Sequence, residues 1–397
     1  MDVQRPGKVD TDLRPQEPRS KTDLSNCQQN AEAGLLTVAI RSVIFWNLER
    51  LFDVDGSPVA EVLGTASPTA AELSNKVETI AAVIDSIAGT IGPPALVGLT
   101  EISSKALAKR IAQRVSATSL VDVDSQAKDQ YGFSLSALNI SLLYDPALFT
   151  AVTTLRSHVV DLTFDTRDVL EVVLARANAT PFTVLLNHWP SRLNPEGPVK
   201  RVAAGYYVAG LVYTSLRYTV SELWDVGSKR IRMPTDAALV ERAGLPLIAM
   251  GDFNDEPFDP SLEALRSTPD TRTVLDESLT GGGDVRARFR KYQASPPSLL
   301  NPFWRLAVGD IGSYYRSPRW RTYDQILLSR GLLKTSAADT TFFVPDTATI
   351  HSTPTAVRRD GSTVRLTNNG GKPASFEAAT GQGCSDHFAI AVGIEFP

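Results

Sequence analysis

Apolar residues along this chain gather in short runs, most of them closed by Gly, Pro, Asn or Asp, and a few longer stretches repeat their apolar positions at helical spacing. LLTVAIRSVIFWNL, from Leu35, is apolar and rich in β-branched residues, and predicts one or two buried strands that end near Asn47. In NKVETIAAVIDSIAGTI the positions Val77, Ile80, Ala81, Ile84 and Ile87 fall on one helical face. Pro93 and Pro94 stop that helix, ALVGLTEI predicts a buried strand closing on Glu101, and a second helix is expected over roughly 103–115. ISLLYDP, LEVVLARAN and FTVLLNHWP read as strands, followed by a long helix from about Val199 to Leu223. LPLIAMGDFND, DQILLS and HFAIAVGIEF supply the last strands. Strands joined by helices in some places and by tight turns in others predict a mixed α/β sandwich, and no internal repeat points to a solenoid or propeller.

Composition narrows this picture. The 397 residues are 43% hydrophobic and 21% charged, which fits a globular chain. Residues 1–34 are polar and proline-bearing and are expected to form a disordered tail, leaving one domain over 35–397. No apolar run reaches the ~20 residues of a membrane helix, and the first residues lack the apolar core of a signal peptide, so a cytoplasmic protein is expected. Cys27 and Cys384 are too few for a disulfide framework or a thiolate zinc site. The net charge of −4 argues against a general basic coat for nucleic acid. One stretch differs: 281–322 carries Arg286, Arg288, Arg290, Lys291, Arg305, Arg316, Arg319 and Arg321 against Asp284 and Asp310 alone, interleaved with aromatic rings. This basic aromatic excursion could bind polynucleotide phosphates, or its rings could pack on the core while its arginines pair elsewhere.

The candidate chemistry lies where strands finish: Asn47, Glu101, His188, Asp252 with Asn254, Asp324, and Asp386 with His387. A polar residue at a strand end is usually only a cap or a turn. This set, however, holds carboxylates, amides and two imidazoles without a thiol, and such oxygen ligands suit Mg²⁺, Mn²⁺ or Ca²⁺.

The motifs that carry these residues, WNLERLF, LTEI, NHWPSR, GDFNDEP, YDQILLS and SDHFAI, resemble in order and spacing those of the endonuclease/exonuclease/phosphatase superfamily. The resemblance runs from about Val43 to Phe396 and is closest to the deoxyribonuclease I branch, through His188-Trp189-Pro190-Ser191 and through Arg167 in TRDVLEVVL. Thr322-Tyr323-Asp324-Gln325 departs from the run typical of inositol phosphatases. The resemblance implies a four-layer sandwich of two packed mixed sheets flanked by helices. It implies a divalent-metal-dependent phosphodiester hydrolase, foremost a nuclease with nucleic acid as substrate and no obligate protein partner. A phosphomonoesterase or lipid head-group phosphodiesterase, and an inactive binding protein on the same fold, are the alternatives. By resemblance Asn47, Glu101 and Asp386 form the metal site. His188, Asp252, Asn254, Asp324 and His387 are catalytic, with Asp324 orienting His387. Arg167 and Arg192 would clamp phosphate. The stretch SALNISLLYDP offers Asn139 but no acid before Asp145, so the carboxylate that normally partners the His188 imidazole is unaccounted for.

Overall fold

The computed structural model describes residues 39–54, 67–123, 139–160, 168–275, 284–336 and 339–397. The expected tail at 1–34 and Arg167 lie outside the described residues. The apolar opening run forms one long strand, β1 (Ala39–Leu51). Helix α1 (Ala70–Ile91) starts earlier than the apolar spacing indicates, because Thr69 and Glu72 close a reciprocal capping box ahead of it. Next come β2 (Pro94–Ile102), α2 (Lys105–Ala112), β3 (Asn139–Tyr144), β4 (Ala151–His158), β5 (Val169–Arg176) and β6 (Ala179–His188). The long helix expected to reach Leu223 stops as α3 (Gly197–Leu216). Arg217 is extended there, and Thr219 caps a separate turn at Val220–Leu223. The remaining main elements are α4 (Asp236–Ala243), β7 (Leu247–Asp252), α5 (Val285–Ala294), β8 (Asp324–Leu328) and β9 (Ile390–Phe396).

Among the described residues these strands, joined by five shorter ones, build two seven-stranded mixed sheets. In the first, β1 pairs parallel with β2 and antiparallel with β9, and β2 continues to β3. In the second, β7 lies between β6, parallel, and β8, antiparallel, and β6 continues through β5 to β4. Alternate residues of one strand face opposite sides, and here both sides are covered. Val43 and Phe45 of β1 meet Val184, Leu186, Ile248 and Met250 of the other sheet, while Ile44, Trp46 and Leu48 meet Val77, Ile80 and Ile84 of α1. On the far side, Leu185, Ala249 and Leu327 receive Ala204, Val208 and Val212 of α3. Burial on both faces is why the strands read as unbroken apolar runs rather than alternating ones. The result is a four-layer α/β/β/α sandwich. No helix among the described residues is long and apolar enough to cross a membrane.

Two glycines record how closely backbones approach. A Cβ on Gly98 in β2 would lie 2.8 Å from Leu186 Cδ2 and 2.9 Å from Met250 Cε of the facing sheet. A Cβ on Gly251 would lie 2.2 Å from Asn187 O, so glycine is what lets β6 and β7 run side by side into their polar ends.

Phe149 joins the sheets at the opposite end of the sandwich, edge-on to Tyr144, to Phe182 of the second sheet and to Phe396 of the first. Phe149→Ala is expected to cost about 3–5 kcal/mol, the range for a large aromatic removed from a closed core. The measurement is the denaturant midpoint at unchanged m-value; a shift worth under ~1 kcal/mol would show that the rings around Phe149 collapse into the space.

Candidate active site

Strand register assembles the polar row. Asp252 at the end of β7 is paired with His188 of β6 on one side and with Asp324 of β8 on the other. Across the gap between the sheets, Asn47 sits opposite Thr100 next to Glu101. Residues scattered from 47 to 387 therefore meet at one end of the sandwich.

Asp252 is the centre of this group and is buried. Its Oδ1 accepts the backbone N–H of Asn254 at 2.9 Å, and its Oδ2 accepts Asn47 Nδ2 at 3.1 Å from the opposite sheet. The same Asn47 amino group reaches Glu101 Oε1 at 3.4 Å. Burial, with Asp324 close by, pushes the Asp252 carboxyl up to about 7. His387 Nδ1 bonds Asp324 Oδ2 at 2.7 Å, leaving Nε2 directed into the site, 3.9 Å from Asp252 Oδ2 and 4.0 Å from Asp386 Oδ1. Burial would lower the imidazole's pKa, but Asp324, Asp252 and Asp386 together hold it well above the ordinary value. His188 Nε2 comes from the other side, 3.7 Å from both Asp252 Oδ2 and Glu101 Oε1. The two imidazoles thus converge on one carboxylate. The carboxylates near His188 come from strand ends, whereas Asp145 caps a turn through Ala147 N–H and faces Arg41.

Glu101, Asp386 and Glu49 form an acidic edge beside this centre. Glu49 was not singled out by the sequence; its carboxylate accepts Asp386 N–H at 3.0 Å and Ser375 Oγ–H at 2.7 Å. Burial first, then the facing acids, raises the carboxyl pKa of both Glu49 and Asp386. Lys76 reaches beneath them from α1, donating to Glu49 O at 2.8 Å, and burial lowers its amine pKa. Helical periodicity hid Lys76, since it stands next to apolar Val77. Glu49, Arg50, Glu101 and Asn254 all adopt positive φ, between 45° and 61°. Left-handed backbone at four non-glycine residues costs on the order of 1–3 kcal/mol each and concentrates where side chains must be aimed.

Facing carboxylate oxygens gathered at one edge are what a hard divalent cation would bind, so Glu101 and Asp386, the latter with its carboxyl pKa raised by burial, fit one. Asp252, Asp324 and His387 also lie within 4.8 Å of one another, but there the imidazole already supplies the positive charge. Asn47 differs from expectation: its Oδ1 accepts Glu49 N–H at 3.0 Å, so its amino group, not its oxygen, faces the carboxylates.

Arg192 also differs. Its Nε donates to Asn254 O at 2.8 Å and its Nη2 bonds Asp255 at 2.6 Å and Asp259. Two acids consume the charge expected at a phosphate, and Arg192 instead braces the Asn254 turn. Arg201 assists, reaching Pro190 O at 3.0 Å and Asp255 at 2.8 Å. Asn254 Nδ2 donates to Trp189 O, linking that turn to the His188 segment. His158 pairs with Glu171 and His351 with Thr353, both away from this cluster.

The basic excursion is divided. α3 begins at the site end, where Arg201 touches Pro190, and its 20 residues at ~1.5 Å each carry its C-terminus roughly 30 Å away. α5 packs there: Tyr292 bonds Leu216 O under the Arg217 guanidinium, and Arg288 pairs with Asp236. The later part, a short hairpin of strands Tyr314–Arg316 and Arg319–Arg321, lies beside His387 instead.

The profile of the Endonuclease/Exonuclease/phosphatase family matches residues 42–214 and 226–395. No curated protein matches the chain. Among solved structures, D. rerio TDP2 complexed with a single-strand DNA product is 12% identical, covering 90% of this chain and 99% of that one, with a TM-score of 0.46. A Bacteroides thetaiotaomicron endonuclease/exonuclease/phosphatase family protein is 13% identical over 91% and 99%, also at 0.46. The human Nocturnin catalytic domain with bound sulfate is 12% identical over 91% and 98%, at 0.42. With the profile spanning nearly all of the sandwich and its polar strand ends, this chain belongs to the endonuclease/exonuclease/phosphatase family.

Proposed function

We propose that this chain is a divalent-metal-dependent phosphodiester hydrolase acting on nucleic acid. The observation that carries the reading is the pair of buried imidazoles whose Nε2 atoms converge on Asp252, one of them fixed by Asp324. A phosphoryl group placed there meets a proton acceptor in the Asp252 carboxylate and proton donors in the two imidazoles, the pairing of base and acid that hydrolysis of a phosphodiester requires.

Each residue has a role that its surroundings support. Asp252, with a carboxyl pKa near the working pH, takes the proton of the attacking water, and the Asn254 turn and Asn47 hold it in line. Asp324 keeps the proton on His387 Nδ1, so that Nε2 faces the phosphate as an imidazolium and binds a non-bridging oxygen. His188 protonates the leaving oxygen. Glu101 and Asp386 would hold the cation, with Asn47 fixing the spacing of Glu101 from Asp252. Mg²⁺ or Mn²⁺, with Ca²⁺ as the weaker candidate, would stabilise negative charge on the phosphate there.

Chelation with EDTA is expected to abolish hydrolysis of bis-p-nitrophenyl phosphate and of plasmid DNA, and Mg²⁺ or Mn²⁺ to restore both; full activity after exhaustive chelation would remove the cation from the proposal. His188→Ala and His387→Ala should each lower kcat by ~100-fold or more. Asp324→Asn should give a smaller loss, because it disturbs only tautomer and orientation. Near-wild-type kcat in either His variant would show that its imidazole takes no part.

Stability should report the same charges. Asp252 binds a proton more tightly folded than unfolded, so its contribution is complete below its ordinary value of 3.8 and is lost as pH rises through about 7. The raised values of Glu49, Asp386 and His387 act in the same direction. Metal-free protein should therefore melt several degrees lower at pH 8 than at pH 6. Asp252→Asn should shrink that difference, and added Mg²⁺ should offset it at pH 8. A melting temperature that is flat with pH, or rises, would contradict the charge balance of the site.

A further inference from the structure

The hairpin Tyr314–Arg321 is fastened to the candidate active site. Tyr314 forms an antiparallel bridge with His387, and Phe388 N–H donates to Ser313 O at 2.7 Å. The Tyr314 ring lies 4.6 Å from the His387 imidazole and stacks on Tyr323 at 5.7 Å. Trp320 stacks on Phe388 and stands edge-on to Tyr315, whose face is covered by Lys372 Nζ at 3.7 Å. Arg321 pairs with Glu256 of the GDFNDEP segment. The rings and Arg321 are thus engaged in holding the hairpin to the domain, and its aromatic faces are largely taken.

Its tip is different. Arg316 and Arg319 are exposed, and neither has an ion-pair partner among the described residues. With Lys372 they put positive charge on one edge of a site that otherwise presents Glu49, Glu101, Asp252, Asp324 and Asp386. The whole chain carries a charge of −4, so a polyanion is repelled from this site unless a local edge attracts it. A small diester has no flanking phosphates and needs no such edge.

We propose that the hairpin is a backbone grip: Arg316 and Arg319 neutralise phosphates flanking the one to be cleaved, so the substrate is a nucleic-acid polymer held by its phosphates rather than by its bases. This rests on the phosphodiesterase reading for the place of cleavage, but not for binding itself. The arginines of α5 belong to the same basic stretch of sequence and have no part in the grip, since α5 packs at the other end of α3.

The test compares the full-length wild type with Arg316→Ala/Arg319→Ala and with Arg286→Ala/Arg290→Ala. Binding of a fluorescent six-nucleotide single strand is measured in EDTA between about 50 and 200 mM salt, a range over which phosphate contacts are strongly attenuated. Turnover of bis-p-nitrophenyl phosphate with Mg²⁺ is measured alongside. The hairpin variant should bind about tenfold more weakly at the lowest salt, with the slope of log Kd against log salt reduced by ~1.4, or ~0.7 for each lost contact to a single strand. Its turnover of the small diester should be unchanged, showing that the fold and the site are intact. The α5 variant should match wild type in both assays. Wild-type binding by the hairpin variant, or equal weakening in both variants, overturns the grip. If wild type fails to cleave the small diester while the hairpin-specific binding loss is seen, the grip stands and the phosphodiesterase reading falls.

Discussion

The hydrogen bond from Asn47 Nδ2 to Asp252 Oδ2 ties the ends of the two sheets together, and the geometry around it follows from that tie. Asn47 belongs to the first sheet and Asp252 to the second, so the bond fixes where Glu101 stands relative to His188, Asp324 and, through Asp324, His387. Two further devices keep it from slipping. Trp46 Nε1 donates to His387 O, and Ser385 Oγ donates to Asn47 O while accepting His387 N–H. The strand carrying Asn47 and the segment carrying His387 are thus bound together by groups with no chemistry of their own.

That arrangement stores electrostatic cost. A buried carboxylate whose pKa reaches about 7 is one that the fold would rather keep neutral, and its neighbours Asp386 and Glu49 are shifted in the same direction. Lys76 and the His387 imidazolium offset part of this charge from within, one beneath the acidic edge and one beside Asp252. A cation and a phosphate added together would alter the balance in opposite senses, which links occupancy of the site to its protonation. The left-handed residues Glu49, Arg50, Glu101 and Asn254 are a second store, held by the tightly packed strands on which they end.

Topology also divides what the sequence joins. Arg288 and Arg316 lie in one basic stretch, yet the chain between them crosses from the start of β7 to the site end of β8. Arg192 shows the same effect at short range. It follows directly after the NHWPS residues, but the turn at Asp255 and Asp259 folds back over it and takes its charge.

The sequence by itself determined the mixed α/β class, the strand ends at Asn47, Glu101, His188, Asp252 and Asp324, and that carboxylate, amide and imidazole side chains stand at them. These were legible because apolar runs buried on both faces are continuous and their polar ends stand out, and because the motifs occur in a known order. Local sequence could not reveal Glu49, Lys76 or Tyr314 as neighbours of the site, nor that Arg192 is consumed by acids and α5 lies far from His387. Each depends on which strands pair, in which register, and on which residues from distant segments share one end of the sandwich. Only the tertiary structure decided those, because the pairing energies that set them act between groups far apart in the chain, 341 residues from Trp46 to His387.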